Sequence, residues 1–343
     1  MKKNDTDRAF LLGIDVGNSK THALITDLTG NVFGFGETGC GSYEVLGLEG
    51  MTKALMQVTQ DALNEAGIGK KHISGMGFGI AGYDWPAEKG VMLKAIEALG
   101  IQAPFGYVND AVIGLLAGSE AGWGIAVDAG TGNNVRGRDQ TGKLGRITGN
   151  GALFGEIGGA AEMVWQAQIA VTYAWTKRGP KTRLTNLFLD YANVQNEETL
   201  IEGLAMEEIN LSPSIARDIF QLAADGDAVA SDIVTYCAKE LGHNVNAVIK
   251  QLNLQDQSFD IVLIGSIFQA GEIYISPFRE TIQVFAPKTN LISLTVPPVV
   301  GAVMLAAEVI HHQDDSFRTR LIKSTESKLS MNGDQIRTDE ATK

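Results

Sequence analysis

Two aspartates end short apolar segments, where a folded chain could present their carboxylates to a ligand. Asp15 ends a run that starts at Phe10, and Asp128 ends a similar run that starts at Gly124. Carboxylates suit Mg²⁺, which takes few protein ligands and keeps several bound waters. We therefore predict that both aspartates bind a metal ion, Asp15 through bound water. The alternative for each is a residue that caps a turn.

A third aspartate, Asp110, follows the apolar run 105–109 and precedes a helical segment. At the exit of a strand, a carboxylate can lie within hydrogen-bond reach of an attacking hydroxyl and act as a general base. The alternative is that Asp110 is the N-cap of the helix.

Glycine-containing loops follow the runs that end in the first two aspartates. They span Gly17 to Lys20 and Gly130 to Asn134. Backbone amides and small hydroxyls in such loops can bind a polyphosphate from opposite sides. Phosphoryl transfer needs such positioned donors and a metal ion. The pattern predicts an enzyme that uses ATP and Mg²⁺, although the sequence contains no P-loop motif.

The two loop regions belong to a longer repeated pattern. In each, an apolar strand meets an aspartate and a glycine turn, and a second strand ends in Asp-x-Thr-Gly 11 to 12 residues later, at Asp27 and at Asp139. Repetition of a whole supersecondary unit indicates two similar lobes. The alternative is a chance likeness between two hairpins.

Around these loops, the hydrophobic pattern alternates between strands and helices. Strands are predicted over 10–16, 21–27, 32–35, 73–80, 105–109 and 259–265, and helices over 49–66, 88–99, 236–252 and 299–311. This alternation predicts an α/β fold with helices on both faces of its sheets. Many of the 40 glycines lie in short strand-to-loop junctions, which favours close approach of the backbone to a ligand. The polar tail, 313–343, is predicted to be a frayed helix followed by disorder.

Composition argues against several classes of function. The chain has 343 residues, enough for two domains of ordinary size. A formal net charge of −12 without clusters of Lys and Arg argues against nucleic acid as a partner. The two cysteines, Cys40 and Cys237, cannot form a disulfide framework or a Cys-rich metal site, which suits the cytoplasm. No segment reaches the ~20 apolar residues that span a membrane, and no signal peptide is recognisable.

Five short motifs, taken in order, resemble those of one family. They are Asp15-Val-Gly17-Asn-Ser19-Lys20-Thr21, Asn109-Asp110-Ala, Gly130-Thr131-Gly132-Asn133-Asn134, Gly265-Ser266 and Pro297-Pro-Val-Val-Gly301-Ala302. The chain is similar, over roughly residues 10–310, to the N-acetylglucosamine kinase and BadF/BadG-type ATPase family, within the actin, heat-shock-protein and sugar-kinase superfamily. The resemblance implies an α/β, two-lobed actin-like ATPase (ribonuclease H-like) fold. Each lobe is then a mixed sheet flanked by helices, with the nucleotide in the cleft between the lobes.

The resemblance also implies how the chain is divided. Residues 1–118 form the first lobe, a helix at about 300–315 returns to it, residues 119–299 form the second lobe, and 316–343 form a polar tail. A homodimer is a further implication.

Roles for individual residues follow from the same resemblance. Asp110 takes the proton from the sugar hydroxyl, which raises the base role above that of a cap. The implied nucleotide-binding residues are Gly17, Asn18, Ser19, Lys20, Thr21, Gly130, Thr131, Gly132, Asn133, Gly265 and Ser266. The implied substrate-binding residues are Ser42, Tyr43, Asp84, Asn109, Asn134, Gly155 and Glu156.

Two departures from the family pattern fall on the sugar side. Tyr43 stands where the amino-sugar kinases carry Asn in the loop after the third strand. The segment Gly155-Glu156-Ile157-Gly158-Gly159 replaces Gly-Asp-Glu-Gly-Ser, so one carboxylate is missing. Glu156 can still accept a hydrogen bond from a sugar hydroxyl.

The chain is therefore predicted to be a cytoplasmic, ATP-dependent kinase of an amino sugar, with N-acetylglucosamine first and others, including N-acetylmuramic acid, open. One alternative is an ATPase activator of an acyl-CoA dehydratase or reductase, which would hold an iron–sulfur cluster with clustered cysteines that this chain lacks. Another is a non-catalytic regulator that binds a sugar or nucleotide. The presence of Asp110, and the lack of a basic helix-turn-helix, argue against it.

Overall fold

The computed structural model describes residues 9–340, with side chains described through residue 330. Contacts divide the chain into two compact units. Unit 1 comprises the chain up to Trp123 and from Ser293 onward, and unit 2 comprises Gly124–Ile292. Within the described range, no helix combines the length and apolar character needed to cross a lipid bilayer.

Ten strands and eleven α-helices make up the described chain, with short 3₁₀ turns between some of them. The strands are β1 (Phe10–Val16), β2 (Thr21–Asp27), β3 (Val32–Thr38), β4 (Ile73–Ile80), β5 (Phe105–Asn109), β6 (Gly124–Ala129), β7 (Asn133–Arg138), β8 (Leu144–Arg146), β9 (Phe259–Ile264) and β10 (Thr289–Ser293). The helices are α1 (Tyr43–Ala66), α2 (Lys89–Glu97), α3 (Asp110–Gly118), α4 (Ala160–Trp175), α5 (Leu184–Ala192), α6 (Glu197–Ala205), α7 (Ala216–Ala224), α8 (Ala228–Leu252), α9 (Glu272–Phe285), α10 (Val299–Val309) and α11 (Phe317–Glu340).

Unit 1 is built on a five-stranded mixed sheet of order β3-β2-β1-β4-β5. The first three strands form an antiparallel meander, and β4 and β5 run parallel to β1. Side chains alternate between the faces, so Leu12 and Ile14 pack with α1 and α2, whereas Leu11 and Leu24 pack with α10 and α11. The sheet is therefore covered on both faces, as the sequence predicts.

Helix α10 lies unusually close to the sheet because glycines line its path. A Cβ atom on Gly13 would be 2.5 Å from the Val303 nitrogen, and one on Gly77 would be 2.0 Å from the Ala302 carbonyl oxygen. Gly301, in α10 itself, approaches α3 in the same way, since a Cβ there would be 1.8 Å from the Ile113 oxygen. These glycines serve helix packing, so the expectation that strand glycines mark a ligand does not hold for them.

Unit 2 repeats the strand order of unit 1. Its sheet has the order β10-β9-β6-β7-β8. Read from the β8 edge, this is the order of the first sheet with five added to every strand number. Again the first three strands are an antiparallel meander, and β9 runs parallel to the first of them. The predicted pair of similar lobes is confirmed.

The two Asp-x-Thr-Gly turns also match in detail. In unit 1 the Asp27 carboxylate accepts hydrogen bonds from the Thr29 amide at 2.9 Å and the Thr29 hydroxyl at 2.7 Å. In unit 2 the Asp139 carboxylate accepts from the Thr141 amide at 2.8 Å and the Thr141 hydroxyl at 2.7 Å. The repeat is thus structural and not a chance likeness.

Several element boundaries differ from the sequence prediction. Helix α1 begins at Tyr43 and not at residue 49, and Gly47, with φ 65°, interrupts it where the pattern broke. β3 continues to Thr38, and α8 starts at Ala228, eight residues before the predicted start at 236.

The tail differs most from its prediction. It forms α11, in which Phe317 and Leu321 are buried in the cluster on the α10 face of the sheet. The Val32 amide donates to the Ser324 hydroxyl at 2.8 Å, and Lys328 pairs with Glu65 at 2.7 Å. Two apolar residues at helical spacing and a few polar contacts hold this helix in place. So short an apolar pattern is hard to recognise in a segment of polar composition. Residues 341–343 lie outside the described range.

Candidate active site

Three carboxylates stand along one edge of the unit 1 sheet. Asp15 is the penultimate residue of β1, Asp84 follows the end of β4, and Asp110 follows the end of β5. These three strands are adjacent and parallel, with Asp15 opposite Gly79 in the register. The carboxyl ends of parallel strands are where ligands bind in α/β sheets. The sequence placed these residues correctly relative to their strands.

Asn109, and not Asp110, caps helix α3. The side-chain oxygen of Asn109 accepts a hydrogen bond from the Ala111 backbone amide at 3.0 Å. Its amide group donates to an Asp84 carboxylate oxygen at 3.1 Å and to the Tyr83 carbonyl at 3.4 Å. The side chain is buried, and both its ends are engaged. The alternative of Asp110 as N-cap is therefore wrong; Asp110 is the first helical residue, partly exposed, and one of its oxygens accepts from the Ala111 amide at 3.0 Å.

The start of α1 brings a further carboxylate to Asp84. Burial, followed by the charges of Asp84 and Glu88, raises the pKa of Glu44. Sequence reasoning missed Glu44 although it adjoins Tyr43. The Tyr43 ring packs against the unit 1 core, and the neighbouring Ser42 is fully buried. These positions of Tyr43 and Ser42 favour packing roles for both side chains.

The loop 17–20 is a tight connection between β1 and β2. The Gly17 amide donates to the Lys20 carbonyl at 3.0 Å, and Asn18 and Ser19 are exposed. The Lys20 ammonium donates to Glu37 at 2.8 Å, and this hydrogen bond lowers the pKa of Glu37. The next residue, Thr21, is fully buried, so its hydroxyl faces the protein interior. The exposed part of the predicted phosphate motif is thus residues 18–20.

The loop 130–132 in unit 2 rests on the start of helix α4. The Ala160 amide donates to the Gly130 carbonyl at 2.9 Å, and the Ala161 amide donates to the Thr131 carbonyl at 2.8 Å. Thr131 and Gly132 are exposed. A Cβ atom on Gly132 would meet nothing within 4 Å, so protein packing does not require a glycine there. This exposed, anchored loop suits contact with a ligand.

Asn133 and Asn134, which follow that loop, differ in their surroundings. The side-chain amide group of Asn133 donates to the Glu156 backbone carbonyl at 2.9 Å, and its side-chain oxygen accepts from the Asn244 side chain at 3.4 Å. Asn133 is buried, so its side chain links parts of unit 2. Asn134 is partly exposed, and its buried side-chain oxygen has no hydrogen-bond partner among the described residues.

Asp128 and Gly265 stand at the ends of the parallel strands β6 and β9. Asp128 is opposite Ile264 in the register, and burial raises the pKa of its carboxyl to about 6. A Cβ atom on Gly265 would be 2.2 Å from the Ala129 carbonyl oxygen and 3.1 Å from an Asp128 carboxylate oxygen. Glycine at 265 therefore lets β9 turn beside Asp128.

Next to Ser266, unit 2 has a cavity of about 330 Å³. Its walls include the start of α4 at Ala160 and one face of α7, which contributes Arg217 and Phe220; Gln269 lies on the Ser266 side. Sequence reasoning missed the contribution of α7. The spacing of Arg217 and Phe220 puts them on one helix face, but nothing in that spacing indicates which neighbour the face meets.

The predicted sugar-side carboxylate, Glu156, is buried and holds a loop together. Its oxygens accept from the Thr148 amide at 2.6 Å, the Thr148 hydroxyl at 2.8 Å and the Asn150 amide at 3.0 Å. Gly155, beside it, is exposed and left-handed, with φ 75°. Ile157, at the position of the missing carboxylate, is buried in the protein.

Glu162 is a buried carboxylate that sequence reasoning missed. It accepts from the Gly159 amide at 2.7 Å and from the Asn133 amide group at 3.4 Å, and burial raises its pKa. Glu162 therefore ties the start of α4 to the strand that follows the loop 130–132. The sequence signal for Glu162 is weak: a Glu three residues after an N-cap can accept from the N-cap amide, but glycine at 159 lacks the side chain that completes a capping box.

The described residues contain no group of three or more His, Cys, Asp or Glu side chains that could hold a metal ion. Mg²⁺ that arrives with a nucleotide needs only one or two carboxylates, because phosphates and water complete its shell. Asp15 in unit 1 and Asp128 in unit 2 fit that lesser requirement.

The two cysteines differ in exposure. Cys237 is fully buried in α8, and burial raises the pKa of its thiol to about 12. Cys40, in unit 1, is partly exposed, so the described structure offers one accessible cysteine, whereas iron–sulfur clusters are held by several Cys thiolates.

Comparison with known proteins assigns the family and supports the fold. The model of the BadF/BadG/BcrA/BcrD ATPase family matches residues 12–306. The N-acetylmuramic acid/N-acetylglucosamine kinase of Clostridium acetobutylicum is 29% identical over 302 residues, which cover 87% of this chain and 98% of that protein. The N-acetyl-D-glucosamine kinase of Dictyostelium discoideum is 26% identical over 323 residues, with 87% and 98% covered.

Two solved structures have a similar fold. One, from Chromobacterium violaceum and provisionally described as an N-acetylglucosamine kinase, has a TM-score of 0.64 and 20% identity, with 87% of this chain and 99% of that chain covered. The ROK hexokinase of Thermus thermophilus has a TM-score of 0.57 and 18% identity, with 89% and 100% covered. At these identities the likeness supports the two-lobed actin-like sugar-kinase fold.

Proposed function

Because the chain belongs to the BadF/BadG/BcrA/BcrD ATPase family, we propose that it is an ATP-dependent kinase that transfers the γ-phosphate to a hydroxyl of an amino sugar. Its two curated relatives are kinases of N-acetylglucosamine, and one also carries N-acetylmuramic acid in its name. N-acetylglucosamine is the first candidate substrate.

The observation that carries this proposal is that Asn109 and Asp110, at the start of α3, have different roles. Asn109 caps the helix and binds Asp84, so the Asp110 carboxylate is not needed as the cap. Asp110 is partly exposed at the edge where β1, β4 and β5 end. We assign it the role of general base, which takes the proton from the attacking sugar hydroxyl. Asp84, oriented by Asn109, is proposed to accept a hydrogen bond from another hydroxyl.

Two exposed loops, 18–20 in unit 1 and 130–132 in unit 2, are each proposed to offer backbone amides to nucleotide phosphates. The cavity beside Ser266 would take the base, with the Phe220 ring and the Gln269 amide as apolar and polar contacts. Asp15 and Asp128 are proposed as carboxylates for Mg²⁺, each within its own unit, and the ion would neutralise charge on the phosphate oxygens. The side chains of Thr21, Ser42 and Asn133 are buried. We therefore assign them to internal packing and not to binding of the nucleotide or sugar.

The test is ADP release with ATP and Mg²⁺ over N-acetylglucosamine, glucosamine, N-acetylmannosamine, N-acetylmuramic acid and glucose. We expect sugar-dependent turnover with at least one amino sugar. Asp110→Asn keeps an acceptor for the Ala111 amide but removes the base, so turnover should fall by about 10²- to 10⁴-fold. Asp190→Asn is the matched control, since Asp190 is exposed on α5 in unit 2 and should leave turnover unchanged.

Absence of sugar-dependent turnover across the panel would contradict the kinase proposal. Equal activity of Asp110→Asn and wild type would contradict the role of Asp110 while leaving the kinase reaction in place.

A further inference from the structure

We propose that Arg318, in the C-terminal helix α11, is a positioning residue for the reaction: it holds the far end of helix α3 and so fixes the axial position of Asp110. The inference rests on the proposed role of Asp110 as the base. It concerns a segment beyond the family match, which ends at residue 306.

The hydrogen bonds of Arg318 to backbone carbonyls are directed at the end of α3, and its guanidinium also lies 3.3 Å from the Met304 sulfur of α10. Its guanidinium donates to the Leu116 carbonyl at 2.7 Å and to the Ala117 carbonyl at 2.5 Å. The last carbonyls of a helix lack partners within the helix, and a cation there also offsets the negative end of the helix dipole. Arg318, which lies beyond the residues that match the family model, thus supplies hydrogen-bond donors and a positive charge to the end of α3.

Helix α3 is short, so its two ends move together. It runs from Asp110 to Gly118, and the rise from Asp110 to Leu116 is about 9 Å at ~1.5 Å a residue. Gly301 of α10 contacts α3 closely at the Ile113 carbonyl, which restrains the helix sideways. The bonds from Arg318 restrain it at its end. A shift of α3 along its axis would move the Asp110 carboxylate by the same distance.

Helix α11 is itself anchored at points away from α3. Phe317 and Leu321 are buried, and Ser324 accepts from the Val32 amide. These anchors let α11 act as a fixed support for Arg318. Arg320, in the same helix, donates to the Thr29 carbonyl at 2.5 Å and makes no described hydrogen bond to α3, so it serves as the control.

The experiment compares Arg318→Ala, Arg318→Lys and Arg320→Ala in the full chain. Misplacement of a catalytic group by about 1 Å can cost about 10²-fold in rate. We expect Arg318→Ala to lower kcat at least tenfold, with the KM for ATP within about twofold of wild type. Lys keeps the charge but not the two-pronged geometry, so Arg318→Lys should be intermediate. Arg320→Ala should keep kcat within about twofold, even if it lowers Tm equally.

Amide hydrogen exchange over residues 111–118 gives a readout that does not require turnover. Exchange there should be faster in Arg318→Ala than in Arg320→Ala. Equal exchange in the two variants, or equal loss of kcat at matched Tm, would overturn the proposal and leave Arg318 a general stabiliser. If the wild-type chain phosphorylates no sugar, the proposed function fails, and the exchange comparison still decides whether Arg318 holds α3.

Discussion

At the scale of single residues, Asp128 couples the stability of unit 2 to pH. Burial raises its pKa from 3.8 to about 6. The folded state therefore keeps a proton that the unfolded state loses, so stability is fully present below pH 3.8 and falls as pH rises through about 6. The difference between the two pKa values corresponds to about 3 kcal/mol.

Asp128→Asn should therefore stabilise the protein at pH 8, by up to about 3 kcal/mol, and have little effect near pH 4. Denaturant unfolding at both pH values measures this, with Asp190→Asn as the exposed control in the same unit. An equal effect at both pH values would show that the Asp128 carboxylate is not the cause. If Asp128 also binds Mg²⁺ as proposed, the stabilised variant should lose affinity for Mg²⁺–ATP.

Asn109 is expected to have two separable roles, helix cap and partner of Asp84. Asn109→Ala removes both, whereas Asn109→Ser keeps a capping oxygen and loses the amide that donates to Asp84. We expect Ala to cost about 1 kcal/mol more than Ser in the free energy of unfolding. Both variants should raise the KM for the sugar by a similar factor. A sugar KM raised by Ala alone would assign the effect to the cap.

Sequence patterns point to candidate site residues where a polar residue stands at the end of an apolar run. Asp15 and Asp128, the penultimate residues of β1 and β6, and Asp110, the residue after β5, were selected in that way and stay predictions as site residues. Glu162 and the Arg217–Phe220 face could not be ranked from sequence, because their value comes from what they contact, at loops far away in the chain.

At the scale of elements, close approach of α10 to α3 makes Gly301 intolerant of any side chain. A Cβ there would be 1.8 Å from the Ile113 carbonyl oxygen, which is backbone and cannot rotate away. Gly301→Ala should destabilise unit 1 by about 1 to 3 kcal/mol, as overpacking does. It should also lower kcat, since α3 must shift.

Gly90→Ala is the matched control for that substitution. Gly90 also lies in a helix of unit 1, and a Cβ there would meet nothing within 4 Å. This variant should gain about 0.5 to 1 kcal/mol from helix propensity. Urea unfolding of the two variants measures the contrast, and a Gly301→Ala protein as stable as wild type would refute the close approach.

Sequence patterns predicted the ends of β1, β2, β4 and β5 correctly, because apolar runs there are bounded by turn residues. They placed the start of α1 too late, since Gly47 interrupts the pattern inside the helix. Helix α11 was missed as a packed element because two buried residues, Phe317 and Leu321, are too few to raise its hydropathy.

At the scale of the whole molecule, α11 also protects the open edge of the first sheet. β3 is the edge strand, and its Val32 and Phe35 amides donate to Ser324 and to Glu65, the partner of Lys328. Unpaired edge amides are a template for aggregation. We therefore expect helix α11 to limit aggregation through this edge as well as to stabilise unit 1.

A chain that stops after His312 should lose the burial of Phe317 and Leu321, at about 1.5 to 3 kcal/mol each. We expect a lower Tm and concentration-dependent light scattering. A chain that stops after Ser330 retains the described contacts of α11 and is the matched control. If the shorter chain is as stable and as free of scattering as the control, α11 does not have this role.

The paired Asp-x-Thr-Gly turns give this chain a matched pair of internal probes. The two turns have nearly the same hydrogen-bond lengths and belong to different units. Breaking the turn hydrogen bonds should then cost nearly the same free energy in both turns. A difference between the Thr29 and Thr141 amides in the rate of proton exchange with solvent would therefore reflect the residues around each turn. A ligand that slows exchange at one turn and not at the other would reveal which half of the chain it touches, without any label being attached.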